Sequence, residues 1–231
     1  MHQKRGSGAG GNAQLCRRPI PVKSSHFPAP IGGYVSEGQD GEVQMTVGHA
    51  IALLWVLFAL SWGVAAFWAD RAEKTAGFSA ELPYRSILVV GAILFLFPAH
   101  GYNGWLRIWY PDLGLAWICV VLIAIGFLFA WWARLHLGRL WSGYITRKSD
   151  HHIVDTGPYA LVRHPIYTGL LLAVVATMIA KGTAPAIVGA ILIFIGIYMK
   201  ARLEERFLRM QLGAASYDAY RLRVPMLVPF M

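Results

Sequence analysis

Residues 113–133 read LGLAWICVVLIAIGFLFAWWA, 21 in a row with no Asp, Glu, Lys or Arg. A spanning helix needs about 20 apolar residues, so this run is long enough to cross a bilayer. Four more uncharged runs flank it. Residues 46–69 supply 24, residues 86–106 supply 21, residues 165–180 supply 16 and residues 182–199 supply 18. The last two are short and only Lys181 lies between them, with Gly182 and Pro185 marking a turn. They read as a tight helical hairpin in a thinned or protein-shielded part of the membrane. Pro165 and Pro185 suit helix starts, where a missing N–H costs nothing.

Composition agrees. Of 231 residues, 56% are hydrophobic and 14% charged, and the mean hydropathy is +0.48. An ordinary soluble domain carries about 25% charge. A disordered chain is excluded and a soluble enzyme disfavoured. The expected fold class is an all-α integral membrane protein of about five transmembrane helices, with a C-terminal helical hairpin and a cytosolic loop and tail. Cys16 and Cys119 are the two cysteines, too few and too far apart for a disulfide framework or a zinc spacing. The net charge of +9 reads as loop charge of a membrane protein rather than a nucleic-acid surface.

Three regions follow. Residues 1–44 are rich in Gly, Ser and Pro without apolar periodicity and are expected to be disordered. They contain no signal-peptide core, and Met45, just before the first apolar run, is expected as the true start of translation, a hypothesis that native peptides from upstream of Met45 would sink. Residues 45–112 hold two spans, and 113–231 a core of three spans with a tail. Lys and Arg number three in residues 70–85, one in 107–112, five in 134–164, one at Lys181 and six from Lys200 onward. The rich segments are assigned to the cytosol, which places the 134–164 loop and the C-terminal tail on one side. Gly126 and Ala130 form a small-xxx-small pair in the third span, a helix-packing signal.

Polar residues concentrate where the chain enters and leaves the hairpin. If the turn lies near Gly182, Arg163 is level with Ala201 and Glu204 with Ala160, to within about one helical turn. Tyr159, Arg163, His164, Lys200 and Glu204 are therefore expected to converge at the membrane boundary, in a pocket for a polar cofactor that opens toward lipid. Each residue also has a plainer reading. Lys200 and Glu204 form an i,i+4 pair, Arg163 can snorkel, and His151, His152 and His164 can be ordinary loop histidines. No His or Cys spacing points to a metal site.

Taken together, Arg163-His164-Pro165-x-Tyr167, an apolar hairpin and Glu204-Glu205 resemble the signature of the isoprenylcysteine carboxyl methyltransferase family, whose wider group includes phospholipid methyltransferases. The segment His151-x-Ile153-Val154 with Gly157-x-Tyr159, and the ending Tyr217-x-x-Tyr220-x-x-x-Val224-Pro225 with Pro229-Phe230, are similar too. The resemblance covers residues 137–231 and implies a multi-pass methyltransferase using S-adenosylmethionine. It implies a cofactor pocket from His151, His152, Ile153, Val154, Gly157, Tyr159, His164, Pro165, Ile166, Tyr167 and Glu204. It further implies catalytic roles for Arg163, His164 and Glu205, and acceptor binding by Lys200 and Arg202. The family often carries Arg four residues before the Glu. Here that position is Lys200, which offers a point charge rather than a two-pronged fork.

A carboxylate acceptor is already ionised at neutral pH and needs no base. A phenol or amine would need one, and His164 or Glu205 is the candidate. The acceptor implied is lipophilic: a carboxylate such as an isoprenylcysteine, then a phenolic lipid, then a lipid amine. The membrane is a bacterial inner membrane or the endoplasmic reticulum, with membrane lipids as partners. A sterol-type reductase using NADPH and a non-enzymatic membrane scaffold are the alternatives. Which cofactor raises the melting temperature separates the first from a methyltransferase. Indifference of function to Glu204→Gln and Arg163→Ala marks the second.

Overall fold

The computed structural model describes residues 37–67, 74–75, 78–96, 106–138, 146–147 and 154–229. The described chain is all-α apart from a two-residue antiparallel ladder of β1 (Lys74–Thr75) and β2 (Thr146–Arg147), in which Lys74 faces Arg147. Its helices are α1 (Glu37–Ala66), α2 (Phe78–Leu96), α3 (Leu113–Leu137), α4 (Pro158–Leu161), α5 (Pro165–Lys181), α6 (Ala184–Leu212) and α7 (Ala214–Arg223). Four are long and apolar enough to cross a membrane, over Thr46–Ala66, Ser79–Leu96, Leu113–Leu137 and Ala184–Leu212, and Pro165–Lys181 is a shorter apolar helix of the hairpin. The protein is a multi-pass integral membrane protein.

Two boundaries differ from the sequence reading. Helix α1 begins at Glu37 and runs through Met45, so helix occupies the last residues of the segment expected to be disordered. Extending an existing helix is far easier than nucleating one. Helix α6 does not stop with its apolar run at Met199 but continues through the charged residues to Leu212, 29 residues in all. It therefore carries Lys200, Glu204 and Glu205 on a rigid extension. Residues 1–36 lie outside the described residues.

The hairpin turns as expected. Gly182 caps α5 in the left-handed conformation (φ 58°) with its N–H on Met178 O, and Pro185 stands in the first turn of α6. The turn is fastened from the segment before α3. Ile108 N donates to Gly182 O at 2.9 Å, the Arg107 guanidinium to Lys181 O at 2.7 Å and Trp109 Nε1 to Ile179 O at 2.8 Å. The Lys181 ammonium reaches back to Phe95 O at the end of α2.

Glycines bring the helices together in two pairs. A Cβ on Gly126 of α3 would lie 2.5 Å from Gly169 O of α5, and one on Gly189 of α6 would lie 2.8 Å from Gly91 O of α2. In lipid there is little hydrophobic drive between helices, so close backbone approach supplies the packing. Helix α1 lies on α3 through aromatic contacts, with Phe58 stacked on Phe127 at 4.2 Å between ring centroids. Trp55 Nε1 donates to Thr177 Oγ1 at 3.1 Å, tying α1 to α5. The outer faces stay apolar and exposed, as at Leu60, Val64, Val89, Ile118 and Leu128, which suits lipid contact. Below the last turn of α3, buried Arg134 donates to Gly138 O at 2.6 Å and Ala65 O at 2.9 Å, satisfying carbonyls at two helix ends.

Candidate active site

The site begins with the short link between α4 and α5. Val162 is extended and wholly buried, His164 precedes the helical proline Pro165, and the link carries Arg163 between them. Residues 224–227, which follow α7, bond to this link. Arg163 N donates to Pro225 O at 2.8 Å, His164 N to Met226 O at 3.1 Å, and Thr168 Oγ1 to Leu227 O at 2.6 Å. The Arg163 guanidinium also donates to Val224 O and, at 3.1 Å, to Arg221 O. Tyr220 OH donates to Tyr159 O at 2.7 Å. The tail is thus bolted over the entrance to the hairpin.

The two adjacent carboxylates divide their work, because neighbours on a helix point about 100° apart. Glu205 turns inward. Arg163 Nε donates to its Oε1 at 2.7 Å, His164 Nε2 lies 3.5 Å from the same oxygen, and Arg221 Nε is 3.6 Å from Oε2. Glu204 faces the more open side. Tyr167 OH donates to its Oε1 at 2.7 Å, His164 Nδ1 lies 3.6 Å from Oε2, and Lys200 Nζ is 3.8 Å from Oε1. The His164 and Tyr167 rings stack at 5.4 Å with planes 11° apart, and the Lys200 ammonium sits 5.6 Å over the Tyr167 ring.

The structure therefore brings Arg163, His164, Tyr167, Lys200, Glu204 and Glu205 into one cluster, close to the register derived from the hairpin. Others stand differently. Pro165, Ile166 and Tyr159 are buried, and Ile166 and Tyr159 pack with Ala133 into the core, against which half-buried Val154 also rests. Gly157 takes φ 58°, and a Cβ there would lie 2.8 Å from the His136 ring. Burial pushes the Tyr159 phenol well above its ordinary pKa, so it is a neutral hydrogen-bonding group. His151, His152 and Ile153 lie outside the described residues.

Two expectations change. Arg202 does not join Lys200: two residues along a helix is a rotation of about 200°. It is exposed and lines a groove with Tyr84 and Ala80 of α2 instead. Glu205 is poorly placed as a general base, since its oxygens already serve Arg163, His164 and Arg221. Sequence reading also missed partners. His136, with Nε2 2.9 Å from Thr156 Oγ1, and Arg221 belong to the surroundings of the site. The tail motif from Tyr217 to Pro225 was the available signal for the latter.

A polar cationic cofactor fits this donor set. The Glu204 carboxylate is the more exposed of the two, at 19%, and stands beside the stacked His164 and Tyr167 rings, an anion next to aromatic surface of the kind that holds a sulfonium or ammonium.

Residues 115–215 match the model of the phospholipid methyltransferase family. The chain is 29% identical over 149 residues to protein-S-isoprenylcysteine O-methyltransferase B of Arabidopsis thaliana, covering 63% of this chain and 71% of that protein. It is 30% identical over 102 residues to the protein-S-isoprenylcysteine O-methyltransferase of Schizosaccharomyces pombe, 43% of each chain. Over 116 residues it is 29% identical to the cobalt-zinc-cadmium resistance protein CzcN of Cupriavidus metallidurans, 49% of this chain and 51% of the relative. Apart from the plant protein, these relatives are thus matched over about half their length or less.

Proposed function

We propose that the chain is a member of the membrane methyltransferase group that includes the phospholipid and isoprenylcysteine enzymes, a reading its likeness to both supports, and that it transfers a methyl group from S-adenosylmethionine to a lipophilic acceptor at the membrane boundary. The preferred acceptor is a carboxylate of isoprenylcysteine type. A phenolic lipid and a lipid amine follow in that order. The observation that carries this reading is the meeting of the two motif halves, with Arg163, His164 and Tyr167 from the hairpin entry closed on Glu204 and Glu205 from its exit.

When bound, the cofactor supplies an activated methyl on a positively charged sulfur, so alignment and exclusion of water are what the protein must add. Glu204, Tyr167 and His164 are the residues that would hold it, with Tyr159 beside them, and the family resemblance adds His151, His152, Ile153 and Val154. Glu204 gives the negative charge that a cationic cofactor requires. Arg163 and Glu205 act as a positioning pair, holding residues 224–227 over the hairpin entry and shielding the site from water. Lys200, above the Tyr167 ring and 3.8 Å from Glu204 Oε1, would bind the acceptor carboxylate. A carboxylate arrives ionised and needs no base, whereas a phenol or amine would pass its proton to His164, the imidazole of the cluster. The loop and tail face the cytosol in this reading, which gives a water-soluble cofactor access from loops and a lipid acceptor access from between helices.

The test is methyl transfer from labelled S-adenosylmethionine by detergent-solubilised protein, with a total lipid extract and a farnesyl-cysteine analogue as acceptors. Label released by mild alkali as methanol identifies a carboxyl ester, and alkali-stable label an ether or amine. Absence of both labelling and cofactor binding overturns the reading.

A further inference from the structure

On the face of α6 turned away from Lys200 and Glu204 lies a groove of about 460 Å³. It is lined by Ala80, Pro83 and Tyr84 of α2 and by Tyr198, Met199, Leu203, Arg202 and Arg206 of α6. Arg202 and Arg206 stand one turn apart and are both exposed. Neither has a carboxylate partner among the described residues, whereas the Glu205, Glu204 and Asp218 carboxylates of the same region are all engaged by other cations. Glu81, the acid nearest in sequence on the α2 side, is buried and occupied by Arg85 and the Tyr84 hydroxyl. The groove is thus a cationic mouth over an apolar and aromatic floor.

Its depth matters as much as its charge. From the start of α6 at Ala184 to Arg202 is about 27 Å of helix, close to the hydrocarbon thickness of about 30 Å. Arg202 and Arg206 therefore stand at headgroup level, while Tyr198 and Met199 lie a turn deeper, at the level of the first acyl carbons. Tyrosines favour this interface, and guanidinium groups match phosphate oxygens in a two-pronged geometry. Basic pockets between transmembrane helices bind anionic lipid headgroups for these reasons. The volume suits one headgroup with its glycerol backbone.

We propose that this groove holds an anionic phospholipid of the surrounding bilayer, its phosphate on Arg202 and Arg206 and its chains along the α2–α6 seam. The site is separate from the Glu204 cluster, since α6 itself stands between them, and the lipid serves as a bound partner that braces α2 against α6 rather than as the methyl acceptor. This inference stands whether or not the methyltransferase reading does.

The experiment is native mass spectrometry of the full chain released from detergent, after addition of phosphatidylglycerol or of phosphatidylcholine with the same acyl chains. One phosphatidylglycerol per chain should be retained at least fivefold more than phosphatidylcholine. Arg202→Gln with Arg206→Gln should abolish that preference, and Arg202→Lys with Arg206→Lys should keep most of it. Each single glutamine variant should weaken it, which covers failure of the double variant to fold. Equal retention of the two lipids by the unaltered protein overturns the proposal, as does a preference undiminished in the glutamine variants. Recovery of the retained lipid carrying an added methyl, after incubation with S-adenosylmethionine, overturns it in favour of an acceptor site.

Discussion

Arg163 Nε donates to Glu205 Oε1 at 2.7 Å, with the two side chains only 9% and 5% exposed. The pair joins the start of the hairpin to its far end. Through Nη1 the guanidinium also fixes the carbonyls of Arg221 and Val224. Removing one member of a buried pair costs up to about 3–5 kcal/mol where the other charge is left unpaired, and here His164 and Arg221 still face Glu205. Arg163→Ala should therefore lower stability by less than that amount but expose the chain after Leu212 to proteases, because the bonds to the Arg221 and Val224 carbonyls are lost. Thermal unfolding and limited proteolysis in detergent read both effects. Unchanged stability together with a protected tail would sink the clamp role.

Glu204 should behave differently from its neighbour. Its carboxylate accepts from Tyr167 and faces Lys200 at the less buried side of the cluster. Hydrogen bonds to charged groups contribute about 1.5–3 kcal/mol, so Glu204→Gln should weaken S-adenosylmethionine binding by about tenfold or more. The tail should remain docked. Titration calorimetry beside the proteolysis assay separates the two glutamates. Equal cofactor affinity in Glu204→Gln would contradict the assignment.

Tail docking should fail in alkali. Burial pushes the Tyr220 phenol from 10.0 up to about 12, and burial also raises Tyr217. The folded state thus holds its phenolic protons more tightly than the unfolded state does. The contribution of these residues is complete below about pH 10 and is lost as pH rises through about 12. Tyrosinate absorbance and amide exchange in Ala214–Arg223 should change together across that window. Release of the tail well below pH 10 would show that some other group governs it.

Helix crossings should tolerate no added side chain where glycine meets glycine. Gly126→Val puts a Cβ 2.5 Å from Gly169 O, closer than real Cβ contacts come. Overpacking of this kind costs typically about 1–3 kcal/mol. A Cβ on Gly63 meets nothing within 4 Å, so Gly63→Val should be nearly neutral. Chemical unfolding in mixed micelles compares them, and equal stability of the two variants would contradict the packing described for α3 and α5.

Much of this protein is legible residue by residue. Uninterrupted apolar runs fix where helices cross, because a bilayer offers no partner for an unpaired backbone group or a stray charge. Gly182 and Pro185 fix the hairpin turn by their own backbone preferences. Since the hairpin must return alongside itself, the meeting of Arg163 and His164 with Glu204 and Glu205 follows from counting. Tertiary structure decided the rest. Apolar helix faces look alike to one another, so pairing of α3 with α5 and of α2 with α6 came from backbone approach at Gly126, Gly169, Gly91 and Gly189, which sequence marks only as small residues. The same holds for the division of labour between Glu204 and Glu205, and for the separation of Arg202 from Lys200. Residue order places these side chains within a turn of each other. The direction in which each points is set by continuation of α6 as an unbroken helix to Leu212 and by the neighbours packed against each face.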